Sequence, residues 1–451
     1  MHSARISRQG QRGFTLLELL VSLTAGLIIA ISVAGLSKVA TTTFYEESRV
    51  QVAELSLRVA VERLRADLGR AAYMATPNIL KDPMVVLPQG QTMFSAPSNL
   101  SGGLGRLAGV RYFPNDVLPD DDNNGAIIAL TEQNLGAGVR PDRLILAGNF
   151  TTADEYIVQS ITTGGTCGGQ ELTLSTNSPA IGRLVRDASG TPLKDEDAQI
   201  VLTEAFRPSS AANATFLVRI VDDSGKRQFV QLCGSNPVRF STTDGPRLSI
   251  SPDTPILNAN DSGAQGGTTG FGVGRLTVNP VQMVEWSVRA RNRAGVVTPS
   301  WAQDTSADAD TQFDLVREML DASGRRIGRP EVVAEFVVDF EIGLVVENPT
   351  TRLMQIAPFD TPADPLIVAH AEADPAATLS TQGPQWIRSL RYRIATRAPI
   401  ADRENNLERP PGVGYAYRYC VQQAAAAECT RYARMRTLTG EISLPNQARW
   451  Q

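Results

Sequence analysis

The sequence predicts an α+β chain: one long N-terminal helix followed by a large β-rich globular head. Three observations carry this. Phe14 to Ser37 is an unbroken run of apolar or small residues with one charge, Glu18. Beyond it, Val50, Ala53, Leu57, Ala60, Val61, Leu64, Leu68 and Ala71 recur at steps of three and four, an amphipathic helical stripe. After Pro77 the pattern turns into short β-prone runs between Gly, Pro, Asn and Asp clusters.

The first element is a helix over 14–76 whose first part, 14–37, spans a membrane. At 1.5 Å per residue a run of that length reaches about 36 Å, enough to cross a bilayer core with some tilt. Arg5, Arg8 and Arg12 precede it with no acid among them, which places that end in the cytoplasm and the remainder outside. In the second part, Glu54–Arg58, Arg58–Glu62 and Arg63–Asp67 place opposite charges four residues apart on the polar face. Such pairs add only tenths of a kcal/mol, so the apolar stripe needs a tertiary partner. Pro77 is expected to end the helix.

The head, 77–451, is read as β-rich. Strands are expected over Arg143–Ala147, Tyr156–Ile161, Gln199–Ala205, Phe216–Val221, Gln228–Leu232, Val284–Ala290, Val332–Val346, Ile387–Ile394, Gly414–Cys420 and Arg434–Leu444. Two-turn helices are open at Phe313–Leu320 and Gln422–Cys429. The stretch 241–274, dense in Ser, Thr, Asp, Gly and Pro, reads as a long flexible loop, with one enlarged head or two lobes left open.

Composition removes several function classes. The 451 residues carry a formal charge of −4, so there is no overall basic field for nucleic acid. With only two histidines, His2 and His370, His-rich zinc sites and His-based triads are disfavoured. None of Lys38, Lys81, Lys194 and Lys226 sits in a P-loop. Gly270-Phe271-Gly272-Val273-Gly274-Arg275 breaks the dinucleotide fingerprint at its last position. His370 lies near Asp364, Glu372 and Asp374 without nucleophile spacing and reads as a surface histidine. No catalytic constellation is present, and the expectation is a protein that is not an enzyme.

Two candidate sites remain in the head. Asp120-Asp121-Asp122-Asn123-Asn124-Gly125 opens like a calcium loop, with Asp120, Asp122 and Asn124 as alternate oxygen donors. Its twelfth position is Thr131 where the loop wants Glu; a polar turn without a cofactor is the alternative. Cys167, Cys233, Cys420 and Cys429 all fall outside the cytoplasmic end, where disulfides persist. Cys420 with Cys429, close in sequence, leaves Cys167 with Cys233, one of three connectivities.

The N-terminus admits a cleaved secretory signal, with Ser32-Val33-Ala34 as a loose cleavage site, or a plain anchor in which Glu18 is a cost of about 3 kcal/mol at a helix centre. A third reading accounts for Glu18. Arg12-Gly13-Phe14-Thr15-Leu16-Leu17-Glu18-Leu19-Leu20 closely resembles the type IV prepilin signature. The resemblance implies a pilin-like fold, removal of leader 1–13 by a prepilin peptidase cutting between Gly13 and Phe14, and N-methylation of Phe14. It also implies that Glu18 pairs with the terminal amine of a neighbouring pilin, so two charges costly in lipid become one ion pair. Ser22, Gly26, Ala30 and Ala34 form a small-residue strip where another helix can approach. In the head, Phe313–Glu318, Asp321-Ala322-Ser323-Gly324, Val332–Glu341 and Arg434–Thr439 resemble PilW-type minor pilins and the related J-type minor pseudopilins. The resemblance implies a protein held in the bacterial inner membrane with its head in the periplasm, then built into a filament whose assembly it starts or caps. A type II secretion pseudopilin and an adhesive head on a pilin stem are the alternatives. Loss of the leader's three arginines leaves 40 basic against 47 acidic side chains, a mature charge of −7.

Overall fold

The computed structural model describes residues 15–86, 107–114, 141–187, 189–207, 214–256, 275–291, 312–359, 361, 363–371, 381–399, 418–423 and 429–448. The chain divides into two compact units, Met1–Val52 and Ala53–Gln451.

Helix α1 runs Leu16–Arg70. In the first unit its stretch Leu16–Tyr45 is apolar and long enough to cross a membrane, with none of it buried. In the second unit the expected stripe is the buried face: Ala53, Leu57, Ala60, Val61, Leu64, Leu68 and Ala71 are all buried. The side chain of Val50 lies outside the described residues.

The helix stops at Arg70, six residues short of the expected 76. Ala72 and Met74 take left-handed backbone angles, φ 59° and 50°, which end a helix. The freed backbone goes to the sheet: Ala72 N donates to Ala147 O at 2.8 Å, and Asn149 N to Tyr73 O at 2.9 Å. Gly148 makes this approach possible, since a Cβ there would collide with the Arg70 carbonyl oxygen. Docking, and not Pro77, sets the end.

The head follows as β1 (Val110–Phe113), β2 (Arg143–Gly148), β3 (Tyr156–Thr163), β4 (Gln170–Leu174), α2 (Pro179–Leu184), α3 (Asp195–Phe206), β5 (Leu217–Val221) and β6 (Arg227–Gln231). Then come β7 (Val238–Ser241), β8 (Gly245–Ser249), β9 (Thr277–Arg291), β10 (Gln312–Leu320), β11 (Arg326–Ala334), β12 (Val337–Glu347) and β13 (Met354–Ile356). Last are α4 (Pro365–His370), β14 (Ile387–Arg397), β15 (Arg418–Gln423), β16 (Cys429–Ser443) and α5 (Pro445–Ala448).

The first sheet has eleven described strands with β9 as its spine. β2 and β10 flank the C-terminal half of β9, while β3 and β5 flank its N-terminal half. The second sheet is antiparallel in the order β13-β12-β14-β16-β15. The main core joins both sheets to the helix: Leu57, Val61, Leu64 and Leu68 pack with Leu144, Val284 and Trp286 and with Phe340, Ile342, Leu390 and Ile394. A second cluster puts Leu202 and Phe206 of α3 against Tyr156, Val218, Ile220 and Val230.

Four sequence expectations are corrected. Gln199–Ala205 is helical, within α3, because Ala198, Leu202, Ala205 and Phe206 share a buried face and Asp195, Glu196 and Asp197 occupy the first turn. Phe313–Leu320 is strand β10, held between β9 and β11. The single strand Val332–Val346 breaks at Phe336, φ 55°, into β11 and β12. The loop expected over 241–274 contains β8, paired with β4 and β7; its part 257–274 lies outside the described residues.

Candidate functional site

The site starts where the helix starts. Thr15 precedes the first helical residue, and its side chain and that of Glu18 cap the helix reciprocally. Thr15 N and Thr15 Oγ1 each donate to Glu18 Oε2 at 3.0 Å, and Glu18 N donates to Thr15 Oγ1 at 3.2 Å. This is a capping box, which satisfies helix-end amides that lipid cannot solvate. The Glu18 carboxylate is therefore held at the N-terminal end of α1, on the Thr15 amide and hydroxyl. The role of Thr15 was missed in the sequence, although Thr-x-x-Glu before an apolar run is its signature. Gly13 and Phe14 lie outside the described residues.

Ser22, Gly26, Ala30 and Ala34 are exposed and share one face of α1. Ser22 Oγ donates to Leu19 O at 3.0 Å, so its hydroxyl is satisfied within its own helix. Nothing lies within 4 Å of the position a Gly26 Cβ would take. The strip is smooth and without a polar group seeking a partner.

In the head, Cys167 and Cys233 form a disulfide with a Cα–Cα distance of 6.1 Å. The side chains of Cys420 and Cys429, on β15 and β16, lie outside the described residues, as do Asp120, Asp122 and Asn124. Among the described residues no group of three or more His, Cys, Asp or Glu side chains is placed to hold a metal. His370 is buried, 6% exposed, against the expectation of a surface residue. Its Nδ1 lies 3.0 Å from Gly383 O, and burial lowers its pKa against the pull of that hydrogen bond.

The most charged buried region is structural. Glu285 receives Arg143 at 2.9 Å, Arg326 at 2.9 Å and Arg289 at 3.2 Å, with Glu318 bonded to Arg289. Burial pushes the Glu285 carboxyl up, but the Arg143, Arg326 and Arg289 guanidiniums outweigh it and hold it at about 2. Glu318, cross-strand from Glu285, is raised by burial against the attraction of Arg289. Where β9 meets β5, burial lowers Arg219 to about 10 despite Glu155.

One turn recurs three times among the described residues. Asp187-x-Ser189-Gly190, Asp222-x-Ser224-Gly225 and Asp321-x-Ser323-Gly324 each fold the same way. The aspartate Oδ1 accepts from the serine amide, the serine hydroxyl and the amide four residues on. The glycines sit at φ 83°, 81° and 86°. All of this is scaffold, so the helix start is the functional candidate.

Residues 8–34 match the family model of the prokaryotic N-terminal methylation motif. Among solved structures, a type IV-like pilin from Thermus thermophilus is similar at 9% identity and a TM-score of 0.16, over 52% of this chain and 86% of that one. No curated protein matches the chain. The motif implies processing by a prepilin peptidase and interaction with pilins. The likeness to type IV prepilins thus rests on the motif at 8–34 and the apolar helix it opens.

Proposed function

We propose that the protein is a minor pilin of a type IV pilus-like machine, cleaved between Gly13 and Phe14 and engaged in starting or capping a filament. The observation that carries the reading is the exposed apolar helix that opens on the Thr15–Glu18 box, inside the match to the N-terminal methylation motif. A carboxylate entering lipid unpaired costs about 3 kcal/mol at the helix centre and less near the interface. The methylated amine of a neighbouring subunit removes that cost, which makes Glu18 a sensor of a correctly seated neighbour. Ser22, Gly26, Ala30 and Ala34 let the helices approach. A head of sixteen described strands on one helix crowds its neighbours, which suits few copies at a filament end better than a repeating subunit. The protein then resides in the inner membrane, N-terminus cytoplasmic and head periplasmic, until assembly.

The test is Gly13→Ala and Glu18→Ala in the host. Gly13→Ala is expected to leave a protein 13 residues longer than the processed wild type and absent from sheared filaments. Glu18→Ala is expected to be processed but not assembled. A wild type that keeps residues 1–13 sinks the reading. Intact pili with lost protein secretion move the chain to the pseudopilus of a type II secretion system.

A further inference from the structure

Outside α1, five large apolar side chains are more than half exposed among the described residues: Ile200, Leu353, Met354, Ile356 and Val368. Three of them lie within four positions, at the edge strand β13, and Thr351 to Ile356 are exposed throughout. Among the described strands, β13 ends the second sheet and pairs only with β12.

The register fixes which backbone groups are open. Ala357 N donates to Leu344 O at 2.8 Å and Asn348 N to Leu353 O at 2.9 Å, and Gln355 stands opposite Val346. Antiparallel pairs alternate, so Gln355 turns its amide and carbonyl to β12 while Met354 and Ile356 turn theirs outward. Natural edge strands are guarded by charge, proline or a bulge. Leu353-Met354-Gln355-Ile356 has none of these.

The flank of the edge is charged. Arg352 Nη1 and Arg388 Nε both bind Glu347, at 2.9 and 2.6 Å. Both guanidiniums also lie near the Trp386 ring, at 5.9 and 5.8 Å from its centroid. Two cations share one carboxylate, and Arg352 remains 54% exposed. Met, Trp and Arg beside apolar surface are the residue types that anchor protein interfaces.

We propose that β13 is a docking edge for an extended segment of a different protein, which adds a strand to the second sheet. The segment lays apolar side chains against Met354 and Ile356 and a carboxylate against Arg352. The positive charge selects this occupant over a second copy, whose own β13 edge brings a second Arg352 and Arg388 on one Glu347.

The experiment uses the full chain in host membranes with a photoreactive phenylalanine analogue in place of Ile356. Met354→Pro removes one outward amide and spares the Gln355–Val346 pair; Arg352→Gln removes the charge. The expected result is an adduct with another protein, cross-linked within a segment that places a carboxylate beside apolar residues. Each variant is expected to lower its yield at least tenfold while the urea midpoint of the chain stays unchanged. Should Met354→Pro shift that midpoint, Arg352→Gln alone decides. No adduct, an adduct only between copies of this chain, or a yield that Arg352→Gln leaves unchanged overturns the inference. Cleavage after Gly13, read from the mobility of the same samples, reports separately on the pilin reading.

Discussion

Asp67 offers the sharpest test of how the head holds its helix. The residue is 3% exposed on α1. Trp286 Nε1 donates to Asp67 Oδ2 at 3.0 Å; Arg317 Nε donates to Oδ2 at 2.6 Å and Arg317 Nη2 to Oδ1 at 3.4 Å. Asp67→Ala leaves a fully buried indole N–H unmet and takes from Arg317, 10% exposed, its better carboxylate. Hydrogen bonds to charged groups contribute about 1.5–3 kcal/mol each, and removing one partner of a buried pair costs about 3–5 kcal/mol. Arg317 retains Glu331 at 3.3 Å, a half-exposed partner, which places the expected loss near the lower end, about 3 kcal/mol. Asp67→Asn keeps one oxygen acceptor but not the charge, and about half that loss is expected. The assay is urea unfolding of the full chain in detergent, followed by tryptophan fluorescence, with Leu64→Ala as an apolar reference expected to cost about 2–5 kcal/mol. A loss for Asp67→Ala below about 1 kcal/mol, the range of an exposed pair, would refute the reasoning.

Three further outcomes follow from the same geometry. Glu285 has a folded pKa of about 2 against an ordinary 4.5, so its contribution, about 3 kcal/mol at 1.36 kcal/mol per unit, is complete above pH 4.5. It is lost as pH falls through 2. Acid titration of stability is expected to flatten over that window in Glu285→Gln, after allowance for Glu318, whose raised pKa acts with the opposite sign. The Cys167–Cys233 bridge spans 66 residues, for which chain entropy gives about 4 kcal/mol; Cys233→Ser should lower the urea midpoint accordingly and reduce its response to reductant. Asp321→Ala removes four hydrogen bonds from the β10–β11 turn and is expected to cost about 1–3 kcal/mol in the same assay.

What the sequence shows and hides follows the reach of each interaction. The stripe Ala53–Leu57–Ala60–Val61–Leu64–Leu68–Ala71 is legible because helical period and burial coincide on one face. The end of α1 at Arg70 is not, because Ala72 N and Asn149 N find their partners across the fold. α3 hides behind Ile200-Val201-Leu202-Thr203, whose β-branched residues suggest a strand although only Leu202 of the four is fully buried. β10 is buried on both faces around Leu315 and Val316, so it lacks the alternation that marks a strand. Asp67 fits an exposed pair with Arg63 in sequence, yet Arg63 turns to Glu331 and Asp67 to the sheet. At the candidate site, Gly13, Phe14 and Glu18 are legible as one contiguous motif, while the signal of Thr15 lies only in its i, i+3 pairing with Glu18.

The two parts of α1 solve opposite problems with the same backbone. From Ala53 onward the apolar residues occupy one face and the head buries them, so this part is satisfied within one chain. From Leu16 to Tyr45 the apolar residues surround the helix, and large side chains such as Leu16, Leu23 and Leu36 are 84%, 64% and 72% exposed. A helix apolar all round has no partner inside its own fold and must take lipid or other helices as its solvent. Glu18 is the one charge between Leu16 and Ser37, and its capping by Thr15 settles the helix start without neutralising the carboxylate. The head is therefore satisfied within its own chain, while the stem takes lipid or other helices around it.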